Sequence, residues 1–276
     1  MPRFKITSVN CRGLHDSKKR KDVFNYLRES KSSIFCLQDT HCTNSDEKSV
    51  YAQWDHDILM SAGRSDARGT LTLLNNNTEI KILTVKCDKN GNYIISNLLI
   101  ENSYTITLVN LYGPNRDDPN FYNEIGNLIE DIETDFVIMC GDWNVVQDFQ
   151  LGCHNYVREN NIKNKEEIEK LKNRYNLIDP WRINNPETKT YTWSRKNPLK
   201  QARLDFFLIS EELMSIVENV RILPGYKTDH SIIEIELIII YFHRGKGFWH
   251  FNNSLLKNKD YVSNVKKIIQ ETLLEY

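Results

Sequence analysis

Polar residues of a few types close a series of apolar runs in this chain. Asn10 follows residues 4–9, and the pair Gln38-Asp39 follows 34–37. Asn110, Tyr112 and Asn115 come after 106–109, and Asp142 and Asn144 after 136–140. Asp205 stands in Arg-Leu-Asp-Phe-Phe-Leu-Ile, and Asp229-His230 precedes the last strand-like run. One aspartate at such a place reads as a turn former or helix cap. Carboxylates, amides, a tyrosine and an Asp-His pair at the ends of different strands are not explained by turns. In open α/β architectures ligands collect at strand ends, because loops there are held by a rigid sheet. The residue types suit one chemistry. A hard cation such as Mg2+ takes one or two carboxylates plus a substrate phosphate oxygen. A carboxylate oriented by an amide can hold a water, and a histidine pinned by an aspartate can approach a phosphorus centre as cation or proton donor. There is no G-x-x-x-x-G-K-[ST] loop and no G-x-S-x-G elbow, so neither P-loop hydrolysis nor serine-hydrolase chemistry is supported.

The elements that position these groups are short β-type runs separated by turn clusters, with a few helices between them. Residues 4–9 alternate; 33–38 and 136–141 are compact apolar runs of the buried-strand kind. Strands at 70–74, 80–87, 93–100 and 105–112 follow at hairpin-like spacing, with an Asn90-Gly91 turn between the second and third. Helical periodicity predicts helices over 18–29, 120–132 and 165–175, the last mostly charged and hence on the surface. Many strands with interleaved helices fit an α/β class in which two sheets pack face to face with helices outside. No internal repeat or low-complexity segment is visible.

With the motifs in view, Leu37-Gln38-Asp39-Thr40-His41, Asn110-Leu111-Tyr112-Gly113-Pro114-Asn115, Gly141-Asp142-Trp143-Asn144, Arg203-Leu204-Asp205-Phe206 and Thr228-Asp229-His230 resemble the endonuclease/exonuclease/phosphatase superfamily. Leu-Gln-x-Thr-His, Gly-Asp-Trp-Asn and the tail Gly-Lys-Gly-Phe-Trp-His-Phe-Asn-Asn-Ser-Leu-Leu look most like the endonuclease of LINE-type, non-LTR retrotransposons. The resemblance implies a four-layer α/β sandwich of two mixed sheets, like that of deoxyribonuclease I. It also implies a phosphodiesterase dependent on Mg2+, or Mn2+, that nicks double-stranded DNA. The nick would expose a 3′-hydroxyl to prime a downstream reverse transcriptase, which is not in these residues. Two other readings stay open: a different phosphodiesterase of the same superfamily, and a catalytically weak DNA-binding remnant.

Carried over position by position, the resemblance puts Asn10 and Asp39 where the metal is coordinated or supported, with Asp229 near it. Tyr112 and Asn115 would contact the scissile phosphate. Asp142 would activate the water, Asn144 would steer it, and Asp205 would orient His230. Thr192 matches a contact to the DNA backbone. One departure matters: the family's usual metal residue is Glu, and Asp39 is shorter by one C–C bond, roughly 1.5 Å, whereas Mg2+–oxygen distances are held to about 2.0–2.1 Å.

The segment 194–203 carries Arg195, Lys196, Lys200 and Arg203 and no acidic residue. Lying between strand-like runs at 190–193 and 204–209, it is expected to be the tip of a β-hairpin joining Thr192 to Asp205. A basic finger there would neutralise DNA phosphates.

Composition agrees with this reading and does not select it. The chain has 276 residues, 36 basic against 37 acidic, and a formal net charge of −1. No apolar run approaches the ~20 residues of a membrane span, and the start shows no secretory signal. No membrane partner is expected. The six cysteines form no C-x-x-C and read as reduced, buried thiols. A glycine- and lysine-rich shift after residue 240 divides an endonuclease domain, 1–240, from a linker and the start of a further region, 241–276. The isolated domain is expected to be a monomer. Its site of action is expected to be nuclear and its location otherwise cytoplasmic.

Overall fold

The computed structural model describes residues 3–239 and 259–274. In chain order the first half contains β1 (Arg3–Asn10), α1 (Ser17–Glu29), β2 (Ile34–Gln38), α2 (Glu47–Tyr51), β3 (Ile58–Ser61), β4 (Thr70–Leu74), β5 (Ile80–Cys87), β6 (Tyr93–Ile100) and β7 (Tyr104–Tyr112). It continues with α3 (Pro119–Glu130), β8 (Phe136–Asp142), α4 (Phe149–Gly152), β9 (Cys153–His154), α5 (Ile162–Tyr175), β10 (Leu177–Ile178) and α6 (Pro180–Asn184). Then follow β11 (Trp193–Lys196), β12 (Leu199–Ala202), β13 (Asp205–Ser210), β14 (Val217–Leu223), β15 (Ile232–Ile238) and α7 (Lys259–Leu274). Two compact units result, Met1–Ile240 and Tyr241–Tyr276. In the second unit α7 is helical; the glycine- and lysine-rich stretch before it lies outside the described residues.

The first unit is a four-layer α/β sandwich. One six-stranded sheet has the order β14-β15-β1-β2-β4-β3, and the other β10-β13-β8-β7-β6-β5. Both are mixed: β1 pairs parallel to β2 and β7 parallel to β8, and the other pairs are antiparallel. The middle of the sandwich is a dry core of Phe4, Ile6, Ile34, Cys36 and Ile235 from the first sheet against Leu98, Leu108, Ile138 and Phe207 from the second. α1 lays Val23, Phe24 and Leu27 on the outer face of the first sheet. α3 and α5 do the same on the second with Ile125, Ile129, Ile168 and Leu171. Each helix therefore buries one stripe and leaves the other to water.

Local chemistry sets the ends of these elements. Asp16 caps α1 by accepting from the Lys19 N–H, and Asp179 caps α6 by accepting from the Arg182 N–H. α5 begins a turn before the predicted start, at Ile162, and buries Ile168 and Leu171 despite its charge. β3 and β14 are absent from the sequence reading; β14 is mostly half-buried, which weakens the alternation that would announce it. The cysteine expectation needs a correction. All six thiols are free, but Cys87 is exposed and Cys153 half-buried, because both lie at strand ends near the surface.

The basic segment also folds differently from expectation. Its hairpin is β11 against β12, with Arg195 opposite Lys200 and the turn at Asn197-Pro198. β13 is not its second arm: Asp205 to Ile209 pair with β8 in the large sheet, while β12 also pairs with β9. A fully buried strand such as β13, with Phe-Phe-Leu-Ile at its middle, is better placed inside the large sheet than left on a projecting ribbon.

Candidate active site

Period-two alternation gathers the site. On β1 the inward row reads Phe4 and Ile6 and ends at Asn10; on β2 it reads Ile34 and Cys36 and ends at Gln38. On β7 the row is Ile106, Leu108, Asn110, and on β8 it is Ile138, Cys140, Asp142. Each strand thus fills the core with apolar side chains until its C-terminal end, where the same face turns polar. β13 runs antiparallel to β8 and brings its first residue there, Asp205 opposite Asp142, while Tyr112 pairs with Asp142 from the other side. Gly141 has no substitute at this point. Its φ is +141° and a Cβ would lie 1.9 Å from the Leu111 carbonyl oxygen.

Between the dry core and the carboxylates lies a layer of buried amides. Gln38 Nε2 donates to Asn110 Oδ1 at 2.7 Å, and Asn110 Nδ2 donates to the Leu71 carbonyl at 2.9 Å. Above it, Asn10 Nδ2 donates to Asp142 Oδ2 at 2.8 Å across the two sheets, and the Asn144 N–H donates to Asp142 Oδ1 at 3.0 Å. Asn144 is held in the left-handed region and its amide donates to the Gly113 carbonyl. His230 closes the arrangement. Its Nδ1 lies 2.9 Å from Asp205 Oδ2 and its Nε2 3.8 Å from Asp142 Oδ2. Thr228 sets its approach, donating to the Asn10 carbonyl and accepting from the His230 N–H.

These neighbours decide protonation. Burial drives the Asp142 carboxyl up and Asp205 adds repulsion; His230 and the two hydrogen bonds pull it back, leaving it at about 7. Burial alone would lower the His230 imidazole, but Asp205 and Asp142 outweigh it and lift the ring to about 9. Near neutral pH the site therefore holds an imidazolium beside a carboxyl poised to gain or lose its proton. The Tyr112 hydroxyl is pushed up by burial and by Asp39 and Asp142, so it stays a donor.

Asn10, Asp39, Tyr112, Asn115, Asp142, Asn144, Asp229 and His230 all line one open cleft of about 860 Å3, and Asp205 lies buried behind His230. These nine of the expected residues meet at one place. Asp142, Asp205 and His230 bring ligand atoms within 4.8 Å of one another, a group compact enough for a metal ion. His230 Nδ1, however, is already committed to Asp205. Two further carboxylates are open to a hard cation: Asp229 Oδ1 is buried with no hydrogen-bond partner, and Asp39 lines the same cleft. Asn10 has both side-chain ends engaged, Nδ2 with Asp142 and Oδ1 with the Arg12 N–H, which makes it a support.

Two expected DNA contacts are placed elsewhere. Thr192 is buried, and its Oγ1 accepts from the Leu204 and Asp205 N–H groups, so it positions the partner of His230 and does not meet solvent. Arg203 is also buried, in a two-point ion pair with Asp179 at 2.6 and 3.0 Å and stacked on Trp181. The chain turns inward after β12, and Arg203 goes with it. Arg195 and Lys196 remain exposed on the hairpin, and Lys200 is half-buried. The sequence reading missed Arg12, whose Nη1 reaches Asp229 Oδ2 at 3.0 Å, and Trp193, whose Nε1 reaches the same oxygen at 3.2 Å. It also missed the stretch from Phe149 to Ile162, which forms a wall of the cleft. No periodicity marks these positions; the Arg12-Gly13 turn is the one local signal.

The fold is a two-sheet sandwich whose site sets an Asp-pinned histidine against a buried carboxylate. The sequence matches the Endonuclease/Exonuclease/phosphatase family over residues 7–230, and the chain belongs to that family. It is 26% identical over 271 residues to the Transposon TX1 uncharacterized 149 kDa protein of Xenopus laevis; the match covers 95% of this chain and 20% of that protein. Among solved structures it is similar to the AP endonuclease LMAP from Leishmania major, with a TM-score of 0.71, 17% identity, and 86% of this chain and 88% of that one covered. The catalytic domain of APE2 from Xenopus laevis gives 0.67 and 19%, over 84% and 91%. At those identities the likeness is one of fold.

Proposed function

We propose that this chain is the endonuclease part of a LINE-type retrotransposon protein, nicking double-stranded DNA to leave a 5′-phosphate and a 3′-hydroxyl. The 3′-hydroxyl would prime reverse transcription by a polymerase elsewhere in the full polypeptide, at a site of action in the nucleus. The observation that carries the reading is the pair Asp142 and His230, oppositely disposed to protons and 3.8 Å apart in an open cleft. Support for the transposon context comes from the TX1 match, which runs over 95% of this chain.

In this reading Asp142 takes a proton from water as the oxygen–phosphorus bond forms, and Asn144 steers that water. Tyr112 and Asn115 donate to the phosphate oxygens, and the His230 imidazolium offsets the charge gathering there as the bond to the 3′-oxygen breaks and that oxygen takes a proton from solvent. Asp205 holds the ring in register, and Thr192 holds Asp205. A divalent cation, Mg2+ or Mn2+, held by Asp39 and Asp229 with Asn10 in support, would supply Lewis-acid stabilisation of the phosphoryl oxygens. The hairpin adds a cost that an anion would relieve: Arg195 and Lys200 sit directly opposite each other, and like charges so paired repel.

A supercoiled plasmid incubated with Mg2+, with Mn2+ and with excess EDTA tests this. Open circles should form only with metal, and a template-dependent polymerase should extend the nicks. Full activity in EDTA, or ends that no polymerase extends, would count against the reading.

A further inference from the structure

Residues 155–161 form a rim on the cleft that neither the catalytic set nor the hairpin accounts for. Tyr156 and Arg158 line the cleft, and between them Val157 is 98% exposed, far more than any other large apolar side chain among the described residues. The rim is held at both ends. Asn155 and Asn161 both adopt left-handed backbone conformations. Asn155 Nδ2 donates to the Leu199 carbonyl at 2.9 Å, His154 pairs with Gln201 of β12, and the Lys200 ammonium sits 5.3 Å over the Tyr156 ring. At the other end Asn161 Nδ2 donates to the Asn144 carbonyl at 3.0 Å. Its one acid, Glu159, is neutralised by Lys165 at 2.8 Å. Val157 stands almost wholly in water, flanked by an aromatic ring and a cation that both line the cleft. In proteins that bind the minor groove, apolar side chains flanked by basic ones insert between base steps, unstack them in part and kink the duplex toward the major groove.

We infer that the rim 155–161 is a second DNA-reading element. Val157 acts as an apolar wedge against a base step, and Arg158 takes the adjoining phosphate. Resting on the endonuclease reading, this deepens it by naming what the protein feels at its target: the ease with which a step opens. Such a preference falls on flexible pyrimidine–purine steps without any base-edge contact. Through Asn161 and Asn144 the rim is tied to the water side of the site, so a wedge that fails to seat leaves the scissile phosphate out of line.

The test uses the full chain with Val157→Ser and Val157→Leu, whose side chain is in water and whose folding is checked by thermal melting. Binding of a short duplex carrying 2-aminopurine at a TA step is followed in EDTA, and nick positions are mapped on a plasmid in Mg2+. Val157→Ser should weaken binding about fivefold to tenfold, as expected for a lost apolar contact. It should abolish the 2-aminopurine brightening, spread the nicks away from pyrimidine–purine steps, and leave the salt dependence of binding unchanged, since no charge is lost. Val157→Leu should retain the brightening. Unchanged affinity and an unchanged nick map in a folded Val157→Ser protein would overturn the wedge while leaving the endonuclease standing. Wild-type protein that neither binds nor nicks duplex DNA would overturn both.

Discussion

His230 and Asp142 owe their protonation states to the same buried cluster, so their roles are separable by pH. Asp142 accepts a proton only when ionised, and activity should rise as pH climbs through about 7. His230 acts only when protonated, and activity should fall as pH passes about 9. kcat/KM should therefore trace a bell between those limits, the acid side moving lower if a bound cation favours the Asp142 carboxylate. Asp205 raises both groups, so Asp205→Asn should slide the whole bell to lower pH and slow nicking less than His230→Ala. His230→Ala and Asp142→Ala should each cost about two to four orders of magnitude in single-turnover nicking, with the melting curve retained. A folded His230→Ala protein nicking at the wild-type rate would remove histidine from the mechanism. Asp39 has its own test. Its Oδ1 accepts from the Arg68 N–H and from His41 Nε2, both at 3.0 Å, and its backbone is left-handed. The loop is built around the short side chain, so Asp39→Glu should lower Mg2+ affinity by titration calorimetry and lower nicking with it. A gain in affinity would show that Asp is the handicap.

Among elements, the hairpin β11–β12 sets Arg195 and Lys196 in solvent and Lys200 half-buried beside them. Trp193, Arg195 and Lys200 share one face by alternation and register, and Trp193 lines the cleft. Lys196 lies on the opposite face. If both lysines meet phosphates, Lys196→Ala with Lys200→Ala should weaken duplex binding and make the slope of log K against log salt shallower by about two. Shortening the turn around Asn197-Pro198 should redistribute nick positions without changing the rate on a fixed short duplex. An unchanged salt slope and nick map would return the hairpin to a solvated ribbon. The contrast with Arg203 is instructive. One residue beyond β12 the same charge is buried against Asp179 and contributes to packing instead.

On the scale of the whole molecule, the family match ends at residue 230 and the first compact unit at Ile240. The last strand of this unit is an interior one: β15 sits between β14 and β1, and its outermost pairing joins Ile238 to Arg3. A chain ending after Ile240 should therefore melt in a single cooperative transition and nick plasmid at the rate of the longer chain. Loss of cooperativity on truncation would mean that the second unit contributes to the stability of the first.

Alternation is local, and for that reason the row of polar residues at the strand ends could be read from the sequence alone. Once Phe4 and Ile6, or Ile138 and Cys140, are set inward, Asn10 and Asp142 follow on the same face with no further information. The Asp-His pair, the Gly-Asp-x-Asn turn and the long amphipathic helices are local in the same sense. What only the tertiary structure decided depends on residues far apart in the chain. Asp142 meets Asn10 from 132 positions away, and Arg12 meets Asp229 from 217. The fate of Thr192 and Arg203 rested on whether β13 would pair with β12 or with β8, a choice between two registers that the residues between them do not record. The protonation of His230 and Asp142 was likewise settled by burial and by charges brought together across the two sheets. Side-chain types are inherited from the sequence, but dielectric and neighbours are properties of the packed whole.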